Sequence, residues 1–261
     1  MARRKTTTKL PAPFLQRLTV LTDRLEGQTG YPFNVPWLGD DDFELRFTTP
    51  VTIIVGENGT GKSTLIEAIA ALSGYDEAGG GKGYRPVDHS HAIDKSGALL
   101  ADVLRAGWLP KVTDGWFFKA EAFFSVARYL DDAAREGGGA PPDFLSWSHG
   151  EGFVRFFEER MSRQGIYFMD EPESALSPRR QLELLRILDG VQRSATSQVI
   201  MATHSPILMA VPDARVLQVT RHGVAKIDYR STSHFKLYQA FTADPDAFIS
   251  DALRGEEERH F

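Results

Sequence analysis

The eight residues Gly56-Glu57-Asn58-Gly59-Thr60-Gly61-Lys62-Ser63 constrain this chain more than any other feature. They fit the pattern GxxxxGK[ST] and sit between two segments of different periodicity. Thr52–Val55 is a β-branched run of the kind found in a strand covered on both faces, whereas Leu65, Ile66, Ile69 and Leu72 recur at helical spacing as far as Gly74. A strand, a glycine-rich turn and a helix in this order form a cradle for phosphate. The glycines let successive backbone N–H groups curl around an anion, and the helix directs its positive end at the same point. Lys62 is placed to reach a β- or γ-phosphate, and Ser63, followed by Thr64, to ligate Mg2+.

Two further strand ends supply what such a cradle needs. Ile166–Met169 is a buried-type run that closes on Asp170-Glu171, at the strand end where ligands gather in open α/β sheets. Asp170 is placed to hold the magnesium shell. Glu171 is the candidate to polarise an attacking water, because phosphoryl transfer asks the protein chiefly for positioning and charge neutralisation. Gln198–Ala202 runs into Thr203-His204-Ser205, and His204 is expected on the same sheet edge, in contact with a γ-phosphate.

The flanking pattern fixes the fold class. Phe14–Leu21 and Phe43–Phe47 read as strands, a helix is expected around Ala98–Arg105, and Trp116, Phe117 and Phe118 read as core aromatics. Gly79–Gly83 and Gly137–Gly139 read as loops. A helix carries Phe153, Phe156 and Phe157, and another runs from Pro178 to Gly190. Arg215–Val219 and Val224–Tyr229 form a hairpin, and a helical tail offers Phe241, Phe248, Ile249 and Leu253 for docking. The alternation predicts an α/β fold with a parallel sheet covered by helices and carrying the P-loop. Residues 1–10 read as a disordered leader.

Composition narrows the chemistry. The 261 residues contain no cysteine, which excludes a disulfide framework, a thiolate metal site and a cysteine nucleophile. The longest apolar runs, Val51–Val55 and Ile166–Met169, fall far short of the roughly 20 residues that cross a bilayer, so no membrane insertion and a cytoplasmic location are expected. A net charge of −5 gives no global electrostatic case for nucleic acid, although a local patch can sit within an acidic total.

Together these residues resemble the ATP-binding-cassette ATPases, and within them the chromosome-maintenance and DNA-repair branch and short stand-alone bacterial ATPases. Gly56–Thr64 is similar to Walker A, Ile166–Glu171 to Walker B with its catalytic glutamate, Ser174-Ala175-Leu176-Ser177 to the D-loop, and His204 to the switch histidine. Leu145-Ser146-Trp147-Ser148-His149-Gly150-Glu151 resembles the signature motif, with His149 in place of the usual glycine. The resemblance implies a single α/β domain over 1–261, a P-loop nucleotide-binding fold with a mostly parallel sheet flanked by helices, N-terminal antiparallel strands and a small helical lobe. Its parts would be a core lobe (14–75 and 163–230), a helical lobe (76–162) and a helical tail (231–261). The resemblance also implies ATP and Mg2+ as ligands, ATP hydrolysis, and an ATP-dependent head-to-tail homodimer. In that dimer Ser148 and Gly150 would complete the site of the opposite copy. Glu121 is the substitute for the family's glutamine as a contact to magnesium or water. Between Glu121 and Ser148 lie only about 26 residues, each adding about 1.5 Å of helix, so the long coiled arm of chromosome-maintenance relatives does not fit there. The head would then pass its conformational change to a protein partner encoded elsewhere, or to DNA. Alternatives are the nucleotide-binding subunit of a membrane transporter, an AAA+ ring, and an ATP-regulated binding module of a defence or toxin system.

Overall fold

The computed structural model describes residues 10–39, 43–82, 96–112, 114–119 and 149–255. In chain order its elements are β1 (Leu15–Val20), α1 (Thr22–Leu25), β2 (Glu44–Arg46), β3 (Val51–Val55), α2 (Lys62–Ser73), β4 (Gly80–Gly81) and α3 (Ser96–Ala101). There follow β5 (Leu104–Trp108), β6 (Gly115–Lys119), α4 (His149–Met161), β7 (Ile166–Asp170), α5 (Pro178–Ser194) and β8 (Gln198–Ala202). The chain continues with α6 (Pro206–Met209), β9 (Arg215–Thr220), β10 (Gly223–Lys226), α7 (Ser233–Ala243) and α8 (Pro245–Arg254).

Seven strands form the main sheet in the order β10-β9-β3-β8-β7-β6-β4. The five central strands, from β9 to β6, are mutually parallel, and only β10 and β4 run antiparallel to their neighbours. Side chains alternate between two covered faces, as the period of a strand requires. Ile54, Phe117, Phe168, Ile200 and Leu217 pack with Leu65, Ile66 and Ile69 of α2 and with Leu15, Leu18 and Leu45 of the small sheet. On the other face Ile53, Val55, Phe118, Met169, Val199 and Met201 meet Phe153, Phe156 and Phe157 of α4 and Leu184 and Leu188 of α5. This double covering explains why β3, β7 and β8 are apolar without alternation.

The N-terminal strands make the expected antiparallel layer, in the order β2-β1-β5. Its third member corrects the helix expected over Ala98–Arg105. Helix α3 stops at Ala101, and from Leu104 the chain is extended because Leu104–Ala106 pairs with Leu18–Val20 of β1, a partner far away in sequence. Three other departures have similar causes. Gly80 and Gly81, expected in a loop, form β4 against Phe117 and Trp116. The aromatic run 115–119 is a strand of the main sheet rather than part of a helical lobe. Helix α5 passes through Gly190, which faces open space, and continues to Ser194 because Val191 still finds the core. The hairpin forms, but β10 ends at Lys226 and Tyr229 lies in a 3-10 turn.

The tail is helical yet does not dock as expected. No residue of α7 or α8 is buried among those described, and Leu253 is 84 % exposed. Phe241 and Phe248 meet edge to face, with ring centroids 5.9 Å apart.

Gln198, at the start of β8, ties the small sheet to the large one. Its buried Oε1 accepts from the backbone N–H groups of Phe14 and Leu15, both at 2.8 Å, and its Nε2 donates to Leu15 O at 2.9 Å. Removing it strands two donors and an acceptor away from water, at about 1–3 kcal/mol each before relaxation. Gln198→Ala should therefore lower the unfolding free energy by about 3 kcal/mol, read as a lower urea midpoint with an unchanged slope. A loss below about 0.5 kcal/mol would show that the clip is dispensable.

Candidate functional site

Strand β3 delivers the chain to Gly56, where the backbone passes so close to β9 that a Cβ would lie 2.5 Å from Val219 O. Gly61 closes the loop at φ +87°, with the Trp37 indole and Val35 against it, so no side chain fits there without strain. Helix α2 starts at the next residue and has no side-chain cap, which leaves its first N–H groups directed into the loop. The Lys62 side chain is buried and its Nζ donates to Glu57 O at 3.0 Å, spanning the loop. Burial lowers the pKa of this ammonium against the pull of Glu171, Asp170 and Glu57.

Register then decides what the loop meets. Ile54 of β3 lies opposite Ala202 of β8, and Ala202 lies opposite Asp170 of β7, so Gly56, Thr203 and Glu171 all leave the sheet at one edge. Ser63 Oγ donates to Asp170 Oδ1 at 3.2 Å. Burial is the main force that pushes the Asp170 carboxyl up to about 7. Lys119, opposite Asp170 at the end of β6, pairs with Glu67 Oε1 at 2.6 Å.

The next residue, Glu171, is a non-glycine in the left-handed region at φ +47°. Its N–H donates to Ala202 O and its carbonyl accepts from Ser174 Oγ at 2.7 Å, so the surrounding hydrogen bonds hold a conformation that costs about 1–3 kcal/mol. Its Oε1 lies 3.5 Å from His204 Nε2. Glu173 fixes the histidine from the other side. Its half-buried carboxylate accepts from Thr203 Oγ1 at 2.7 Å and from the His204 N–H at 2.5 Å, while desolvation pushes its pKa upward. Burial first, then the Lys62 charge, lowers the pKa of His204. His204 Nδ1 lies 2.7 Å from His234 Nε2. His204 Nε2 is buried and makes no hydrogen bond. From α7, Ser233 Oγ also donates to Glu57 Oε1 at 2.7 Å.

Lys62, Ser63, Asp170, Glu171 and His204 thus share one edge, along with Gly56, Glu57, Asn58, Gly59, Thr60, Gly61 and Thr64 of the loop and its helix. Gly150 stands in the first turn of α4, where Glu151 pairs with Arg180 of α5, and Arg180 also donates to Glu183 at 2.6 Å. Glu121 and Ser148 lie outside the described residues. Glu173, Ser233 and His234 were missed by sequence reasoning. Only Glu173, three residues past Asp170, carried a positional signal; nothing in the tail marked His234.

The residues present suit a polyphosphate with a divalent cation. Asp170, Glu171, Glu173 and Glu57 stand around Lys62, an acidic lining that a divalent cation would share with a polyphosphate. Asp170 is a buried carboxyl beside a hydroxyl, the donor set Mg2+ takes when phosphate and water fill the remaining positions. Among the described residues no group of three His, Cys, Asp or Glu could hold a metal by itself. A cavity of about 590 Å³ between Trp116, Arg160 and Tyr167 opens near the starts of β6 and β7, away from this edge.

A glycine loop between β3 and α2, an acidic pair after β7 and a histidine after β8 stand at one edge of a mostly parallel sheet flanked by an antiparallel one, the arrangement of an α/β fold with a P-loop. Residues 33–124 match the family described as "AAA domain", and residues 152–210 the family described as "AAA domain, putative AbiEii toxin, Type IV TA system". No curated protein matches the chain. Among solved structures, an inward-facing metal-chelate type ABC transporter is 16 % identical over 85 % of this chain and 86 % of that one, with a TM-score of 0.47. CbiO1 of Clostridium perfringens, part of the ABC transporter complex cbiONQ, is 17 % identical over 79 % and 89 %, with a TM-score of 0.41. The SMC head domain of Thermotoga maritima is 16 % identical over 83 % and 99 %, with a TM-score of 0.44.

The Asp170 shift has a sign that can be checked without nucleotide or Mg2+. The folded protein keeps this proton up to about pH 7, whereas the unfolded chain releases it near 3.8, so folding stability falls as pH rises through that window. Asp170→Asn should raise the unfolding free energy by about 2–4 kcal/mol at pH 8, with the gain vanishing near pH 4. A gain that is equal at both pH values would contradict the burial origin of the shift.

Proposed function

We propose that this edge binds ATP with Mg2+ and hydrolyses it, and that two copies close head to tail around the nucleotide as a switch. The observation that carries the reading is the convergence, beside the buried Lys62, of the Ser63–Asp170 pair at 3.2 Å and the Glu171–His204 pair at 3.5 Å. The N–H groups from Gly56 to Thr64 and the Lys62 ammonium hold the phosphates. Ser63 and Asp170 hold Mg2+, with Glu121 as a further contact; the ion, when bound, offsets phosphate charge. Glu171 accepts the proton of the attacking water, and His204 Nε2 contacts the γ-phosphate.

Ser148 and Gly150 of a second copy complete the site. The Glu151–Arg180 pair, which joins the helix after the signature motif to the helix after the D-loop, supports this part of the reading. Ser177 caps that second helix by accepting from the Arg180 N–H. The conformational change is delivered to a protein encoded elsewhere, or to DNA, in repair, chromosome maintenance or defence. The match of residues 152–210 favours a second reading, in which ATP regulates a binding module of a defence or toxin system. Turnover separates the two, since a purely regulatory site holds ATP without releasing phosphate. Among the described residues no helix is long and apolar enough to cross a membrane.

Glu171→Gln removes the proton acceptor and leaves the phosphate contacts in place. With saturating ATP and Mg2+ this variant should double its mass in light scattering and lose hydrolysis by about 100-fold or more. A variant that stays monomeric under those conditions, or hydrolyses at the wild-type rate, would sink the dimer switch.

A further inference from the structure

We propose that His234, at the start of α7, is a positioning residue of the nucleotide site: it donates to His204 Nδ1 and so holds the His204 proton on Nε2, facing the γ-phosphate. The inference rests on the ATPase reading above and extends it into the tail, which the motif set leaves unused.

The tail reaches the site through a fixed path. Thr232 is 1 % exposed, its Oγ1 donates to Tyr229 O at 2.6 Å, and the same oxygen accepts from the Phe235 N–H at 3.2 Å as the cap of α7. That cap places the next two residues on the loop and on the histidine. Ser233 Oγ donates to Glu57 Oε1 at 2.7 Å, and His234 Nε2 lies 2.7 Å from His204 Nδ1. The first turn of the tail thus reaches the candidate site through two contacts, one to the loop and one to the histidine.

Of two imidazole nitrogens 2.7 Å apart, one donates the shared hydrogen and the other accepts it. The surroundings decide which. Around the pair stand the Lys62 ammonium and the carboxylates of Glu57, Glu171 and Glu173, and Glu173 is already engaged by the Thr203 hydroxyl and the His204 backbone N–H. His204 Nε2 faces Glu171 Oε1 at 3.5 Å. A bare nitrogen lone pair there would oppose a carboxylate lone pair, whereas an N–H is attracted to it. The proton of His204 belongs on Nε2, Nδ1 is the acceptor, and His234 is the donor. That tautomer offers a hydrogen-bond donor to a phosphate oxygen; the other would repel it.

The test uses the full chain. In 15N spectra of the nucleotide-free protein with labelled histidine, His204 should show a protonated Nε2 and an unprotonated, hydrogen-bonded Nδ1. His234→Ala should lower kcat by about tenfold or more with the ATP KM changed by less than about twofold, the scale on which groups that orient a ligand or catalytic histidine act. His234→Gln, whose amide can still donate, should recover most of that loss. In a His204→Ala background, His234→Ala should cost nothing further. A proton found on His204 Nδ1, a kcat unchanged in His234→Ala, equal damage in the Gln and Ala variants, or additive losses would each overturn the proposal. Absence of turnover in the wild type would defeat the ATPase reading, and the spectrum would still decide the His204 tautomer.

Discussion

Everything at this site depends on the parallel pairing of β3, β8 and β7 in step. Because Ile54, Ala202 and Asp170 lie level across three neighbouring strands, residues separated by more than a hundred positions leave the sheet at one edge. No loop has to carry them there. A slip by two residues in either pairing would displace Asp170 from Ser63 by about 6–7 Å, and a slip by one would also turn every side chain to the opposite face. The two-sided packing against α2 on one face and α4 and α5 on the other prevents both.

On that edge, unfavourable features gather where the ligand chemistry is proposed. A carboxyl is buried at Asp170, a lysine is buried at Lys62, and Glu171 holds a left-handed backbone. Each costs folding free energy, and under the proposed function each would be offset on binding: a divalent cation would neutralise Asp170, and phosphates would pair with Lys62. The strain at Glu171 is maintained by the Ala202 carbonyl and the Ser174 hydroxyl, so the acid is aimed by its neighbours rather than by its own preference. Glu173 does the same for His204, gripping its backbone while the ring Nε2 is left without a hydrogen bond.

Much of this was legible before any coordinates. Apart from Thr52 and Gln198 at their starts, the strand runs Thr52–Val55, Ile166–Met169 and Gln198–Ala202 are apolar without alternation, which singles out the centre of a parallel sheet, and the punctuation by Gly56, Asp170 and Thr203 marks their ends. What escaped the sequence was decided by partners far away in the chain. Leu104–Trp108 is a strand because β1 is beside it, and residues 115–119 join the main sheet because β7 offers an edge. Helix α5 runs through Gly190 because the following Val191 is buried, a fact of packing that local propensity does not contain. The apolar residues of the tail suggested docking, yet Phe241, Ile249 and Leu253 are exposed, and the residues that do touch the site are Ser233 and His234, polar and unremarkable in sequence.

The central claim is that this edge is a magnesium-dependent ATP site organised by Lys62. Its most direct test is calorimetric titration of the full chain with ATP, with and without Mg2+, for the wild type and Lys62→Ala. The account predicts saturable binding by the wild type that weakens when Mg2+ is removed and is lost in Lys62→Ala. Equal binding by both proteins, or none by the wild type in the presence of Mg2+, would contradict it.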